Sequence, residues 1–316
     1  MFKYIYNILK SKNPNLFFMK LTIVLGIILV LFILYRISAP PMKFEGFQQL
    51  EPFLLKTNQD GYDDFYVELY DGINDTDSRG DKELSQIIKT TEPSAKNSVF
   101  LDVGSGTGYA VNQLRDAGYS VYGIDKSKAM VDYAETLYPE SEYQCGDATD
   151  SMTFEKGTFT HIMCTNFTIY EIADKRTFFS NCYFWSVPNA YLIVHLVDRN
   201  KFNITKPKGT YKPRFFQNTP TNGREIEATV EFIDYTYSGS YEIPKKETDS
   251  KVVFIEKFTD KQTNHIRQNE KTLTMESIDD IVGMATSAGY IVHAKMNMTK
   301  CNGDENQYLY VFERLM

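Results

Sequence analysis

The sequence has little that would hold nucleic acid, zinc or a disulfide framework. Its 316 residues carry 34 Lys and Arg against 41 Asp and Glu, a formal net charge of −7. No basic stripe or long Lys/Arg run interrupts that balance. Phosphate neutralisation supplies most of the affinity for duplex DNA or structured RNA, so neither is favoured as a partner. There are four cysteines, Cys145, Cys164, Cys182 and Cys301. None forms a Cys-x-x-Cys pair, which argues against a metal site. The first three fall in predicted core elements, where a free thiol behaves as a small hydrophobe. No internal repeat and no long low-complexity tract is present. The apolar fraction, 42%, is ordinary for a globular protein. The length permits one large or two small domains.

A long apolar run stands near the start. Leu21 to Tyr35 is fifteen residues without a charge, bracketed by Lys20 and Arg36. Counted from Leu16 it reaches 20 residues with a single lysine, enough for about 30 Å of hydrocarbon. It reads as an uncleaved single-pass transmembrane anchor over residues 21–38, behind an N-terminal tail of residues 1–20. A cleaved signal peptide is the rival, with Ile37-Ser38-Ala39 as a mediocre cleavage site. Lys3, Lys10, Lys12 and Lys20 precede the span, whereas Arg36 and Lys43 follow it. That bias favours a cytosolic N-terminus. Sequons at Asn74, Asn166, Asn203 and Asn297 do not decide the side, which stays open. Residues 39–56, beginning Ala-Pro-Pro, read as a spacer to a domain over 57–316.

Residues 99–108, Val99-Phe-Leu-Asp-Val-Gly-Ser-Gly-Thr-Gly108, are the most informative stretch. The apolar run makes a buried strand. Gly104, Gly106 and Gly108 follow at once, and a helix then begins with Ala110, Val111, Leu114 and Ala117 on its apolar face. Glycines let a backbone approach a ligand, and a helix N-terminus offers free N–H groups. A dinucleotide fingerprint places its glycines at positions one, three and six. Here they fall at one, three and five, which disfavours an NAD-dependent oxidoreductase. Asp102 stands two residues before the first glycine. Val121-Tyr-Gly-Ile-Asp125 is a second strand ending in an acid, 21 residues after Gly104. That is close to the offset of a carboxylate that accepts ribose hydroxyls. Ser127 caps the next helix, and Tyr143-Gln-Cys-Gly-Asp147-Ala148 ends a third strand.

The run Asp102-Val-Gly-Ser-Gly-Thr-Gly108 resembles motif I of class I S-adenosylmethionine (SAM)-dependent methyltransferases. The resemblance covers about residues 60–200 and 273–316. It implies SAM as cofactor, held by Asp102, Gly104, Ser105, Gly106, Gly108, Asp125, Lys126, Asp147, Ala148 and Thr165. Asp147 would face the adenine amino group. Family members often carry a Tyr-Asp-bearing helix before motif I, which points to residues 62–72; Tyr66 or Tyr70 would then contact SAM or simply pack. The Asn/Asp-Pro-Pro-Tyr/Phe signature of enzymes that methylate nucleic-acid amino groups is missing. Thr165-Asn166-Phe167-Thr168 stands in its place.

The remaining pattern is an α/β doubly wound, Rossmann-like sheet of seven strands with an antiparallel last strand. Strand four is expected at Phe159–Thr165, a helix at Asp174–Phe184, strand five at Ala190–Leu196, a helix at Met275–Ala288 and a closing hairpin at Tyr290–Met296 and Gln307–Phe312. A short helix is expected at Asp81–Thr90. Residues 200–272 hold alternating runs at Glu227–Tyr235, at Tyr241-Glu-Ile and at Lys251–Phe258, with turn signals at Ser238-Gly239 and Pro244. They read as a small antiparallel sheet inserted at the mouth of the site, and the resemblance implies that such an insertion binds the acceptor.

Methyl transfer from a sulfonium needs orientation and water exclusion first, and a base only where the acceptor must lose a proton early. His195, at the carboxyl end of strand five, is the first candidate base or a packing residue. Tyr170 and Glu171 are the second candidates. The expected function is methyl transfer to a small-molecule or protein acceptor near a membrane. The alternative is a catalytically silent SAM-binding scaffold.

Overall fold

A computed structural model describes residues 20–26, 29, 51–207, 224–244, 246 and 249–315. The chain divides into two units, Met1–Glu45 and Gly46–Met316. In the first, residues 20–26 are helical. Among the described residues no helix is long and apolar enough to cross a membrane. Most of the expected span, residues 27, 28 and 30–38, lies outside the described residues.

The second unit opens with β1 (Phe53–Thr57), then α1 (Asp64–Asn74) and α2 (Thr76–Thr91). The alternating core follows: β2 (Val99–Val103), α3 (Tyr109–Asp116), β3 (Ser120–Asp125), α4 (Lys128–Leu137) and β4 (Glu142–Cys145). Next come β5 (Phe159–Cys164), the single turn α5 (Thr168–Glu171), α6 (Lys175–Trp185) and β6 (Ser186–Val197). Four strands then run in succession: β7 (Glu227–Glu231), β8 (Tyr235–Glu242), β9 (Lys251–Asp260) and β10 (Ile266–Thr274). The chain closes with α7 (Ile278–Ser287), β11 (Tyr290–Asn297), α8 (Thr299–Asn302) and β12 (Gln307–Arg314).

Seven strands form one sheet in the order β11-β12-β6-β5-β2-β3-β4. The pairs among β2 to β6 are parallel, and β12 is antiparallel to both its neighbours. Side chains alternate faces. Phe100, Met163, Ile193 and Val311 point to the face covered by Leu84 and Ile87 of α2 and Val111 and Leu114 of α3. Leu101, Ile162, Leu192 and Phe312 point to the other face, covered by Phe178 and Cys182 of α6 and Ile281 of α7. Both faces are buried, which is why the central strands read as continuous apolar runs. Strand order reverses between β2 and β5, and the crevice at their carboxyl ends is where such sheets bind ligands.

The other five strands form a second sheet, β1-β10-β9-β8-β7. Several boundaries differ from expectation here. The run Glu227–Tyr235 is not one strand: it breaks at residues 232–234, and Ser238-Gly239 lies inside β8. Gly239 serves close packing, since a Cβ there would sit 3.0 Å from the Tyr237 hydroxyl. The stretch 39–56 is not all spacer, because Phe53 to Thr57 pairs in parallel with Ile266 to Glu270. Residues 39–50 of it lie outside the described residues. Two helices also shift. α2 begins at Thr76 rather than Asp81. α7 begins at Ile278, because the Ser277 side chain caps it by accepting from the Asp280 N–H.

Candidate functional site

β2 delivers the chain into the glycine turn. Gly104 and Gly106 adopt φ of +71° and +52°, a region L side chains rarely enter. The Gly104 and Ser105 N–H groups both donate to the Ile124 carbonyl, at 2.8 and 3.1 Å. That pair pins the turn to β3. A Cβ on Gly104 would lie 2.5 Å from Thr168 Cγ2, so α5 closes over the turn only because the position is glycine. From the other side, Thr107 Oγ1 donates to Asp71 of α1 at 2.7 Å.

Beneath this turn β3 ends at Asp125. Its Oδ2 accepts the Gly106 N–H at 2.9 Å and its Oδ1 the Ser127 N–H at 2.8 Å. Burial pushes its carboxyl up to about 6, against those two backbone donors. Each carboxylate oxygen keeps a further lone pair for hydroxyl donors. One strand over, Asp147 Oδ1 accepts from the Thr149 N–H and hydroxyl at 2.9 and 2.7 Å. Its Oδ2 pairs with Lys126 at 2.9 Å. Burial would raise its carboxyl, yet Lys126 and Thr149 together hold it below the usual range.

Gly104, Gly106, Asp125, Lys126, Asp147 and Ala148 line one cleft of about 610 Å³, joined by Glu171 after β5. The opposite wall comes from the second sheet, through Lys251, Lys271 and Thr274. Asn166, rather than Thr165, faces the cleft, and its amide donates to the Tyr70 hydroxyl at 2.8 Å.

Four other expected cofactor ligands sit behind this wall instead of in it. Ser105 packs its hydroxyl against Gly123. Gly108 takes the N-terminal cap of α3, where its carbonyl accepts from the Tyr143 hydroxyl at 3.2 Å. Thr165 uses its carbonyl to accept the Thr168 N–H. Asp102 is 3% exposed, and its carboxyl is pushed up to about 7 by burial, then by Asp125 and Glu83, against Arg79.

The first candidate bases also need correction. His195 is 1% exposed. Its Nδ1 accepts the Phe167 N–H at 3.3 Å and its Nε2 meets Gln307 Oε1 at 3.1 Å. Burial drives its imidazole down to about 3, so it is a neutral strut between β6, β12 and the turn after β5. Tyr170 is equally buried, and its hydroxyl accepts the Val197 N–H at 2.8 Å. Being next to the site in sequence did not put either side chain in the cleft. Glu171 does face it.

A smaller recess of about 50 Å³ adjoins the cleft, sharing Tyr62, Tyr70, Asn166, Glu171 and Lys271 with it. Tyr66, Tyr237 and Tyr241 add to its wall, with apolar side chains such as Phe167, Phe254 and Leu273. Behind it lies Glu256, fully buried, which accepts from the Tyr66 and Tyr237 hydroxyls at 2.9 Å each. Lys271 pairs with Glu256 at 3.2 Å and donates to the Tyr66 hydroxyl at 2.8 Å. Burial raises the phenols of Tyr62, Tyr66 and Tyr237 far above their ordinary value, and the nearby carboxylates add to it. They therefore act as neutral donors. The helix bearing Tyr66 and Tyr70 was legible in sequence, whereas Lys271 was not, because β10 carries no apolar alternation.

Residues 101–194 match the family model described as a methyltransferase domain. An 18S rRNA (guanine-N(7))-methyltransferase of Bos taurus is 30% identical over 118 residues, 34% of this chain and 42% of that protein. The chain thus spans less than half the length of that curated relative. The CcbJ methyltransferase of Streptomyces caelestis superposes with a TM-score of 0.60 at 13% identity, covering 82% of this chain and 100% of that one. SAM-bound CalS10, an amino pentose methyltransferase of Micromonospora echinaspora, superposes with a TM-score of 0.51 at 18% identity, covering 74% and 89%.

Proposed function

We propose that this chain, which carries a class I SAM-dependent methyltransferase domain, moves the SAM methyl group onto a small-molecule acceptor seated between the two sheets. SAM is the cofactor. The observation that carries the reading is the continuity of the cleft: carboxylates and a glycine turn at one end, and a tyrosine-lined recess at the other.

The residues fit SAM. The glycine turn at Gly104 and Gly106 lines the cleft with backbone, and Asp125 offers acceptor lone pairs beside it. Asp125 would hold the ribose hydroxyls, and Asp147 with Ala148 the adenine end. SAM supplies an activated methyl on a sulfonium. The protein's own task is to align an acceptor with it and exclude water. α1 and the second sheet do the excluding. Glu171 stands where an acceptor proton would be taken, accepting for now from the Tyr62 hydroxyl at 2.5 Å.

The acceptor in this reading is small, because the recess is narrow and the chain's charge is negative. Attachment to a membrane through residues 21–38 rests on the sequence of that segment. Fractionation of the full chain, with and without its first 40 residues, tests the attachment. The function is tested by titrating the full chain with SAM and measuring S-adenosylhomocysteine formation with acceptor panels. Absence of SAM binding by the folded protein at hundreds of micromolar overturns it. Binding with no turnover on any acceptor identifies a silent scaffold instead.

A further inference from the structure

Resting on the methyltransferase reading, we propose that the acceptor is an amine, received as its ammonium between the Glu171 carboxylate and the tyrosine rings of the recess. The charges of the recess point this way. Lys271 and Glu256 neutralise each other at 3.2 Å. Lys126 is engaged by Asp147 out in the cleft, and Lys251 lines the cleft but not the recess. Glu171 forms no ion pair among the described residues; its hydrogen bond comes from the neutral Tyr62 hydroxyl. Among the described residues the recess therefore keeps one carboxylate without a countercharge, and a cationic ligand supplies one.

The walls agree with the charge. Tyrosine rings attract an ammonium through their faces, and this recess already displays the effect. The Lys271 ammonium sits 4.3 Å from the Tyr62 ring centroid and 4.4 Å from that of Tyr66. Tyr70 and Tyr241 also line the recess, beside apolar groups such as Phe167 and Phe254. An anionic acceptor would be repelled by Glu171, and a neutral alcohol would leave its charge unanswered.

The chemistry closes as well. A protonated amine has no lone pair for the sulfonium methyl, so one proton passes first from nitrogen to the Glu171 carboxylate. The nitrogen lone pair then forms the new N–C bond as the C–S bond breaks, and sulfur keeps that electron pair as a neutral thioether. The product leaves as a methylated ammonium, and the Glu171 carboxyl returns its proton to water.

The test uses the full chain saturated with S-adenosylhomocysteine, titrated by calorimetry with n-propylammonium chloride and separately with n-propanol, its neutral counterpart in size. The expected result is at least tenfold tighter binding of the ammonium. With S-adenosylhomocysteine again saturating, Glu171→Gln should erase that preference, and Glu171→Asp should restore part of it. Equal binding of the two probes, no binding of either, or a preference that survives Glu171→Gln overturns the amine and leaves the methyltransferase reading standing. Failure of S-adenosylhomocysteine itself to bind overturns both.

Discussion

Asp125 Oδ2 accepts the backbone N–H of Gly106 at 2.9 Å, so one carboxylate both shapes the glycine turn and faces the cleft. Asp125→Asn keeps the size and loses the charge. Hydrogen bonds to charged groups contribute about 1.5–3 kcal/mol, so SAM should bind about 10- to 100-fold more weakly, read by calorimetry. The wild-type dissociation constant should also rise as pH falls below about 6, where the free carboxyl takes up its proton. In Asp125→Asn that pH dependence should disappear.

Gly104→Ala combines two effects that Gly118→Ala separates. Both positions have positive φ, +71° and +92°. A left-handed conformation costs a non-glycine residue roughly 1–2 kcal/mol. Nothing lies within 4 Å of a Cβ at Gly118, whereas at Gly104 it meets Thr168 at 2.5 Å. Chemical denaturation should show a loss near that strain value for Gly118→Ala and a larger one for Gly104→Ala. SAM binding should fail only in the second.

His195 is predicted to matter for stability and not for turnover. Its removal by His195→Ala strands the Phe167 N–H, takes one partner from Gln307 and opens a cavity, about 2–4 kcal/mol together. The imidazole is held near 3 in the fold and near 6.5 when unfolded. Its neutral form thus contributes stability that is complete above pH 6.5 and is lost as pH falls toward 3, by up to about 1.4 kcal/mol per pH unit. The difference between wild-type and variant unfolding free energies should shrink over that range. The pH–rate profile should not move, and loss in the variant of the acid limb, where a base is protonated, would restore His195 as the base.

Asp102 should show the opposite sign. Its carboxyl is raised to about 7, so between pH 4 and 7 the folded state holds a proton that the unfolded state releases. That contribution is present at low pH and is lost as pH rises through 7. Asp102→Asn, neutral throughout, should therefore gain stability relative to wild type with increasing pH and level off above 7. Thermal unfolding across pH 4–9 measures it.

Where the chain follows simple rules, the sequence was enough. Apolar β2, the glycine turn and the acids Asp125 and Asp147 all declared themselves, because burial on both faces and close backbone approach restrict composition severely. β10 was invisible for the contrary reason. Its buried face is Arg267, Asn269, Lys271 and Leu273, so its alternation places charge inside. Its two cations are paired outside the strand, Arg267 with Asp63 at 2.8 Å and Lys271 with Glu256 of β9, and neither pairing shows in the local pattern. His195 and Tyr170 misled because strand ends predict proximity to the cleft, while the direction of a side chain there depends on register and on what covers it.

Lys175 ties the two sheets together at the edge of the cleft. Its side chain is 1% exposed, and its ammonium donates to the carbonyls of Ile172 and Thr274 at 2.9 Å each. It also pairs with Glu276 at 2.9 Å. Ile172 follows α5 and Thr274 ends β10, and both line the cleft. Lys175→Met removes the only charge-based link at this point among the described residues and strands a half-buried Glu276. Breaking one side of a buried pair costs about 3–5 kcal/mol, and the partial exposure of Glu276 puts the expected loss at the lower end. Lys175→Met combined with Glu276→Gln should be less destabilised than the sum of the singles. Hydrogen exchange should rise at residues 172–174 and 272–274 in Lys175→Met while the β2–β5 core stays protected. A uniform rise across the chain would mean that Lys175 supports the fold at large and not the junction of the two sheets.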